Sequence, residues 1–284
     1  MSGQIISVIG SGTMGNGIAH VSALNGYKVF LVDINDSYLE NAMNTIIKNL
    51  TRQVDKNIIM ENDKLEAIEN ITLTTNMLDV KNSDLVIEAV PENIDIKNKI
   101  FTDLDSICSS KTILSSNTSS ISIAKIAENT KRAEKVIGMH FMNPVPIMKL
   151  VEIVSTPFTS LETKNMIVSI AKKMQKIPVH CNDYPGFVSN RILMPMINEA
   201  VHCFEEGVAS VESIDSIMKL GMGHPMGPLK LADLIGIDVC VYILNVLYDG
   251  FKDKKYKPSK LLVKMVEENK LGKKSGEGFY KYEF

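Results

Sequence analysis

The chain has 284 residues, room for two domains of ordinary size, and its 45% apolar and 23% charged residues exclude wholesale disorder. With 31 Lys and Arg against 33 Asp and Glu the net charge is −2, so the basic footprint of a nucleic-acid-binding protein is missing. Cys108, Cys181, Cys203 and Cys240 form no CxxC pair, which offers neither a zinc ribbon nor a dithiol redox motif and reads as buried thiols of a cytoplasmic protein.

In chain order, the opening MSGQIISVIG has no basic stretch ahead of its apolar run and does not read as a signal peptide. Ile5–Gly10 reads as a strand ending in glycine, followed by a helix from about Thr13 that Gly26 stops. Lys28–Asp33 reads as a second strand. Ser37 is the expected cap of a long helix whose Leu39, Met43, Ile46, Ile47 and Leu50 keep helical spacing. Further strands are expected at Ile71–Thr74, Leu85–Val90, Thr112–Ser115, Val136–His140, Leu150–Val154 and Ile177–His180. Helices fit between most of them, which argues for an α/β fold with a parallel, doubly wound sheet covered on both faces.

Near Asn182–Gly186 the texture changes, and Pro185 can open a long helix. Helices are expected over Phe187–Glu205, Val211–Leu220, Pro228–Leu247 and Ser259–Glu268, with no strand before the final GFYKYEF. Two domains follow, 1–184 and 185–284. The apolar stretch Leu231–Tyr248 carries Asp233, Asp238 and Asn245 and is not expected to span a membrane. Leu231, Leu234, Ile235, Val239, Val241, Ile243, Leu244 and Leu247 on the helix Pro228–Leu247 are more than about 100 residues can bury alone, so a two-fold interface is expected there. The Lys-rich FKDKKYKPSK reads as a solvated turn.

Gly10-Ser11-Gly12-Thr13-Met14-Gly15 fits GxGxxG between a strand and a helix, the context that makes this string specific for a dinucleotide. Asp33 closes the next strand where a carboxylate would bind ribose hydroxyls. It would repel a 2′-phosphate and no nearby Arg compensates, so NAD is favoured over NADP. His140 ends an apolar run, Glu152 sits inside another, and Asn143-Pro144-Val145-Pro146 between them favours a bend. Either the carboxylate reaches and orients the imidazole, or the pair is an edge-strand Glu and a satisfied core His. Ser115–Ser120 is a hydroxyl-rich loop after the apolar Thr112-Ile113-Leu114, placed for a ligand or for a helix cap, for which Ser120 is suited. Asn190 shares a helical face with Phe187, Leu193, Met194 and Ile197, and either bonds within the core or points at a ligand. His20, His180, His202 and His224 lack metal-ligand spacing, and no metal is expected.

Together Gly10–Gly15, SNTSS (Ser116–Ser120), GMHFMNPVPIMKLVE (Gly138–Glu152), PGFVSNR (Pro185–Arg191) and GHPMGP (Gly223–Pro228) resemble the L-3-hydroxyacyl-CoA dehydrogenase family, and the similarity continues to GFYKY. The resemblance implies a Rossmann domain, a helical C-terminal domain that forms a homodimer, and an oxidoreductase that interconverts 3-hydroxyacyl-CoA and 3-ketoacyl-CoA with NAD or NADP. The same chemistry serves butanoate fermentation and fatty acid metabolism. It implies His140 as general acid/base, Glu152 as its orienting partner, and Ser119 and Asn190 as substrate contacts. It places the cofactor on Gly10, Ser11, Gly12, Thr13, Met14, Gly15, Asp33, Glu92, Lys97, Ser119, Asn143 and Lys274. For the CoA moiety it implies Ser119, Lys56 and the position of Asn49, where the family has a serine. Met142 stands where many relatives have an aromatic residue. Alternatives are a dehydrogenase of free 3-hydroxyacids, which relies on a lysine, and a non-catalytic NAD-binding protein.

Overall fold

A computed structural model describes residues 4–283. Residues 1–3, part of the opening read above for a signal peptide, and Phe284 lie outside the described residues. The chain divides at Asp183 and Tyr184 into two units. The first contains β1 (Ile5–Ile9), α1 (Thr13–Leu24), β2 (Lys28–Val32), α2 (Asp36–Asp55), α3 (Glu61–Glu69), β3 (Ile71–Thr74) and β4 (Leu85–Glu88). These are followed by α4 (Ile94–Ile107), β5 (Ile113–Ser116), α5 (Ile123–Ala127), β6 (Val136–Phe141), β7 (Leu150–Ser155), α6 (Leu161–Lys173) and β8 (Ile177–Asn182). The strands form one sheet in the order β3-β2-β1-β4-β5-β6-β7-β8.

Apart from Glu88 and His140, β1, β4, β5 and β6 carry apolar or small residues on both faces, and nearly all of them are buried, as central strands under helices require. Strand order reverses between β1 and β4. In open α/β sheets the crevice at the carboxyl ends of two such strands is where ligands bind. The first six strands run parallel, but the sheet is not wholly parallel: β7 is antiparallel to β6, and β8 runs parallel to β7. The physical reason is connection length. Only the short Met142–Lys149 turn joins β6 to β7, too short for the helical crossover that a parallel pair needs. Nor is every strand covered on both faces, since β8 is the sheet edge and Ile177, Val179 and His180 are exposed.

Local capping differs from expectation in two places. The cap of α2 is Asn35, whose side chain accepts a bond from Ser37 N at 2.8 Å, so Ser37 lies inside the helix. The cap of α5 is Ser122, not Ser120, because the helix begins at Ile123 and Ser122 Oγ accepts from Lys125 N.

The second unit is helical: α7 (Ser189–Glu205), α8 (Val211–Met222), α9 (Pro228–Ile235), α10 (Ile237–Phe251) and α11 (Lys260–Glu267). Pro185 does not open α7. Gly186 and Phe187 both hold positive φ, and the helix starts at Ser189. The expected single helix Pro228–Leu247 is two helices bent by 97° at Gly236, whose φ of 106° no helix accepts. The bend lets Ile243, Leu244 and Leu247 bury within the unit itself. The final GFYKY forms isolated bridges rather than a strand, with the Phe279 and Tyr280 amides and the Tyr282 hydroxyl donating to buried Asp233. Among the described residues no single helix is long and apolar enough to cross a membrane.

His20 on α1 is buried, with Nε2 3.4 Å from Gln53 Oε1. Burial depresses its pKa to about 4, opposed by Gln53 and assisted by Lys176. The unfolded chain takes up this proton near pH 6.5, so folding loses stability as pH falls from there toward 4. Between pH 7 and 5 urea unfolding should show a loss of about 2 kcal/mol in the wild type that His20→Gln lacks. Parallel pH profiles for the two proteins would contradict it.

Candidate active site

The loop after β1 is built for close backbone approach. Gly10 has φ of 94°, and a Cβ there would lie 2.8 Å from Ala89 O; one on Gly15 would lie 1.8 Å from Gly10 O. These glycines serve the turn and the packing of α1 on β1. Gly12 differs, because nothing lies within 4 Å of where its Cβ would be. It is the N-cap residue of α1, and among the described residues no side chain caps that helix. The first-turn amides and the positive end of the dipole therefore face open space, the arrangement that accepts a phosphate.

Asp33, just beyond β2, accepts bonds at Oδ2 from Ser11 N (2.7 Å) and Ser11 Oγ (2.6 Å), and at Oδ1 from Ile34 N (2.7 Å). It thereby ties the glycine loop to the end of β2. A cleft of about 750 Å³ runs along this edge, lined by Gly10–Met14, Asp33, Tyr38, Ala89, Val90 and Pro91 among others. An open cradle over Gly12, an uncapped helix start, a carboxylate at the next strand end and this volume fit a dinucleotide.

Three strands along the sheet from β1, the antiparallel register places His140 of β6 directly opposite Glu152 of β7. His140 Nδ1 and Glu152 Oε2 are 2.7 Å apart, and both residues are buried. The edge-strand alternative does not hold, since β8 covers β7 and Glu152 is 3% exposed. The turn that makes this register possible is fastened from two sides. Ile147 N and Met148 N bond to Pro144 O, and the buried Lys176 ammonium donates to Val145 O and Met148 O. Val145 packs so closely on Gly17 of α1 that a Cβ there would lie 2.9 Å away.

Between these two features lies the SNTSS loop. Asn117 Oδ1 accepts from Phe141 N at 2.9 Å, which ties the loop to the strand of His140. Glu92 Oε1 accepts from Thr118 Oγ1 (2.6 Å), Ser119 N (3.0 Å), Ser120 N (3.1 Å) and Ser120 Oγ (2.8 Å), and lies 3.4 Å from Ser119 Oγ. Burial opposes the charge on Glu92, but Lys97 and the bonds from Thr118, Ser120 and Ser119 outweigh it and hold the carboxyl below the ordinary glutamate range. Lys97, on α4, is 1% exposed and reaches Glu88 Oε1 at 2.7 Å and Glu92 Oε2 at 3.3 Å.

The remaining residues named from the sequence are dispersed. Asn143 is exposed in the turn after β6, and Met142 beside it is half-buried. Asn49 is half-buried on α2, and Lys56 is the exposed residue that ends that helix seven positions on. In the second unit, Asn190 is buried in the first turn of α7, and Lys274 donates to Asp238 Oδ2 at 2.7 Å. Sequence reasoning missed Glu88 and Lys176. Glu88 carried the signal used for Glu152, a carboxylate inside an apolar strand (LVIE), and should have been read the same way.

A cleft at the reversal of a parallel sheet and a buried His–Glu pair along the same sheet define a dinucleotide-dependent oxidoreductase. Residues 5–184 match the family pattern "3-hydroxyacyl-CoA dehydrogenase, NAD binding domain", and residues 186–282 match "3-hydroxyacyl-CoA dehydrogenase, C-terminal domain". The chain is 50% identical over 277 residues to 3-hydroxybutyryl-CoA dehydrogenase of Clostridioides difficile, covering 98% of this chain and 99% of that protein. It is 44% identical over 285 residues to human mitochondrial hydroxyacyl-coenzyme A dehydrogenase, covering 98% and 90%. The crystal structure of (S)-3-hydroxybutyryl-CoA dehydrogenase from Ralstonia eutropha is 46% identical, with a TM-score of 0.96 and full coverage of both chains. The chain belongs to the 3-hydroxyacyl-CoA dehydrogenase family, and its first unit is the family's NAD-binding domain.

Proposed function

We propose that this protein catalyses the reversible oxidation of (S)-3-hydroxybutyryl-CoA, or another 3-hydroxyacyl-CoA, to the 3-ketoacyl-CoA. The observation that carries this reading is the buried His140–Glu152 pair across β6 and β7, with β6 next to the strand that leads into the SNTSS loop. NAD, when bound, supplies the hydride acceptor. Gly10–Gly15 and Asp33 hold the dinucleotide in the cleft, with Glu92, Asn143 and Lys274 assigned to it by family resemblance. With Nδ1 of His140 turned to Glu152, Nε2 is the atom that takes the 3-hydroxyl proton in oxidation and returns it in reduction. Glu152 stabilises the imidazolium and fixes the ring. Ser119 and Asn190 hydrogen-bond the substrate and so orient it for transfer, and Lys56 and the Asn49 position contact the CoA moiety. The test is steady-state reduction of acetoacetyl-CoA with NADH and NADPH in parallel, then of C4–C10 ketoacyl-CoA esters, with free acetoacetate as control. Saturable turnover of the ester, faster with NADH, supports the reading, and turnover of acetoacetate alone sinks it.

Asp33 sets the cofactor preference in this account. Asp33→Ser with Ile34→Arg should move the NADPH/NADH ratio of kcat/KM by about tenfold or more toward NADPH. NADH efficiency should fall as well, because Asp33 also anchors both the amide and the hydroxyl of Ser11. A wild type that already favours NADPH would show that the carboxylate does not act this way.

A homodimer built from the helical unit belongs to the same proposal. Ile192, Leu220 and Leu234 are 67%, 86% and 54% exposed in the single chain, large apolar side chains that a two-fold contact would cover. Light scattering should give twice the 31.5 kDa chain mass, and a stable monomer at micromolar concentration would contradict it. Four free thiols fit a cytoplasmic location.

A further inference from the structure

Lys176, the residue immediately before β8, is 7% exposed. Burial lowers its pKa, and among the described residues no carboxylate forms a salt bridge with it. Its ammonium donates instead to two main-chain carbonyls of the β6–β7 turn, Val145 O and, at 2.8 Å, Met148 O. A buried cation without a counter-ion costs stability. What this one contributes is geometry, since a single ammonium ties carbonyls three residues apart and sets the width of the turn. The turn also meets fixed structure at both ends. Ile177 N donates to Lys149 O at 2.8 Å, and β8 then pairs with β7 from Ile177 opposite Leu150. Val145 packs on Gly17 of α1. The backbone that delivers Lys176 is itself constrained: Gln175 N bonds to Lys172 O and Lys176 N to Ala171 O, both at 2.9 Å. This closes α6 with Gln175 at φ of 59°, a left-handed conformation that strains a residue other than glycine.

We infer that Lys176 is a positioning residue for the proposed reaction. It acts through the main chain: by fixing the turn it keeps β7 where Glu152 Oε2 lies 2.7 Å from His140 Nδ1. The lever is short, because the turn begins two residues after His140 and ends three before Glu152. A slip of one residue would send Glu152 to the other face of the sheet. A smaller shift lengthens the bond that orients the imidazole, and misplacement of that kind lowers the rate without removing any reacting group. The kinetic part of this inference rests on the proposed reaction. The geometric part, that Lys176 keeps the His140–Glu152 bond intact, does not.

The experiment is a double-mutant cycle between Lys176→Met and Glu152→Ala, read as kcat for acetoacetyl-CoA reduction at saturating NADH. Methionine is also unbranched and flexible but cannot donate to the two carbonyls. Alone, Lys176→Met should lower kcat about tenfold, with KM for the ester within about threefold of wild type. In Glu152→Ala no carboxylate remains to be placed, so adding Lys176→Met should cost no more than about twofold. The downfield proton resonance of His140 Nδ1–H, assigned by its absence in His140→Gln, should move upfield or vanish in Lys176→Met. Equal losses of kcat in both backgrounds would make Lys176 independent of Glu152 and overturn the assignment. A lowered Tm with kcat and the resonance unchanged would make the brace merely structural. A KM raised about tenfold at constant kcat would make Lys176 a contact of the ester. Either result also overturns the assignment. Should Lys176→Met fail to fold, the cycle is run with Gln175→Gly in every protein, since glycine relieves the left-handed strain. If that chain too fails to fold, Lys176 serves stability first and the assignment ends. A wild type that does not reduce acetoacetyl-CoA counts against the reaction, while the His140 resonance still judges Lys176.

Discussion

Glu152→Gln is expected to lower kcat by about 10²-fold or more, the scale of general acid–base assistance, with NADH affinity and Tm close to wild type. The amide nearly matches the carboxylate in size and can still accept a bond from His140 Nδ1 across the 2.7 Å that separates the pair. What the substitution removes is a buried negative charge beside an imidazole that must alternate between neutral and protonated forms. Without that charge the imidazolium is disfavoured. Oxidation uses the neutral ring as base, so its acidic limb should move to lower pH in the variant. Reduction uses the imidazolium as acid, so the deficit there should deepen as pH rises. The check is kcat/KM in both directions from pH 5.5 to 9. An unchanged rate and profile would reduce Glu152 to a structural carboxylate.

Gly12→Val should abolish most dinucleotide affinity without harming the fold. Nothing lies within 4 Å of the Cβ position, so the branch point has open space, and the valine side chain fills the space over the first-turn amides of α1. Losing two charge-assisted bonds of about 1.5 kcal/mol each would raise NADH Kd roughly 10²-fold. Gly15 provides the contrast, because its Cβ would lie 1.8 Å from Gly10 O and any side chain there should lower Tm. Calorimetry beside NADH titration separates the two. Equal losses of stability at Gly12 and Gly15 would mean that the cradle is a packing feature rather than a phosphate site.

Whatever depends on local pattern was legible in the chain. The apolar runs ending at Gly10, Asp33 and His140 are strands, and the glycine spacing after β1 identifies the dinucleotide loop before any coordinate. What depends on partners distant in sequence was not. Whether His140 and Glu152 meet is decided by the antiparallel register of β6 and β7, which the Pro144–Met148 turn and the Lys176 brace impose. Neither Lys176, immediately before β8, nor its acceptors in that turn announce each other locally. Lys97 shows the same limit: its ion-pair partner Glu88 lies nine positions earlier on a different element. The break at Gly236 was missed because a glycine within an apolar run is tolerated in many helices, and only its positive φ separates a bend from a continuous helix.

The measurement that bears most directly on the account compares wild type with His140→Gln in the NADH-dependent reduction of acetoacetyl-CoA, with NADH affinity measured in both. The account predicts one NADH oxidised per 3-hydroxybutyryl-CoA formed by the wild type, and a variant that binds NADH equally well but turns over at least about 10²-fold more slowly. A variant that keeps wild-type turnover would contradict the assignment of proton transfer to His140, and a wild type that binds NADH without reducing the ester would contradict the reaction itself.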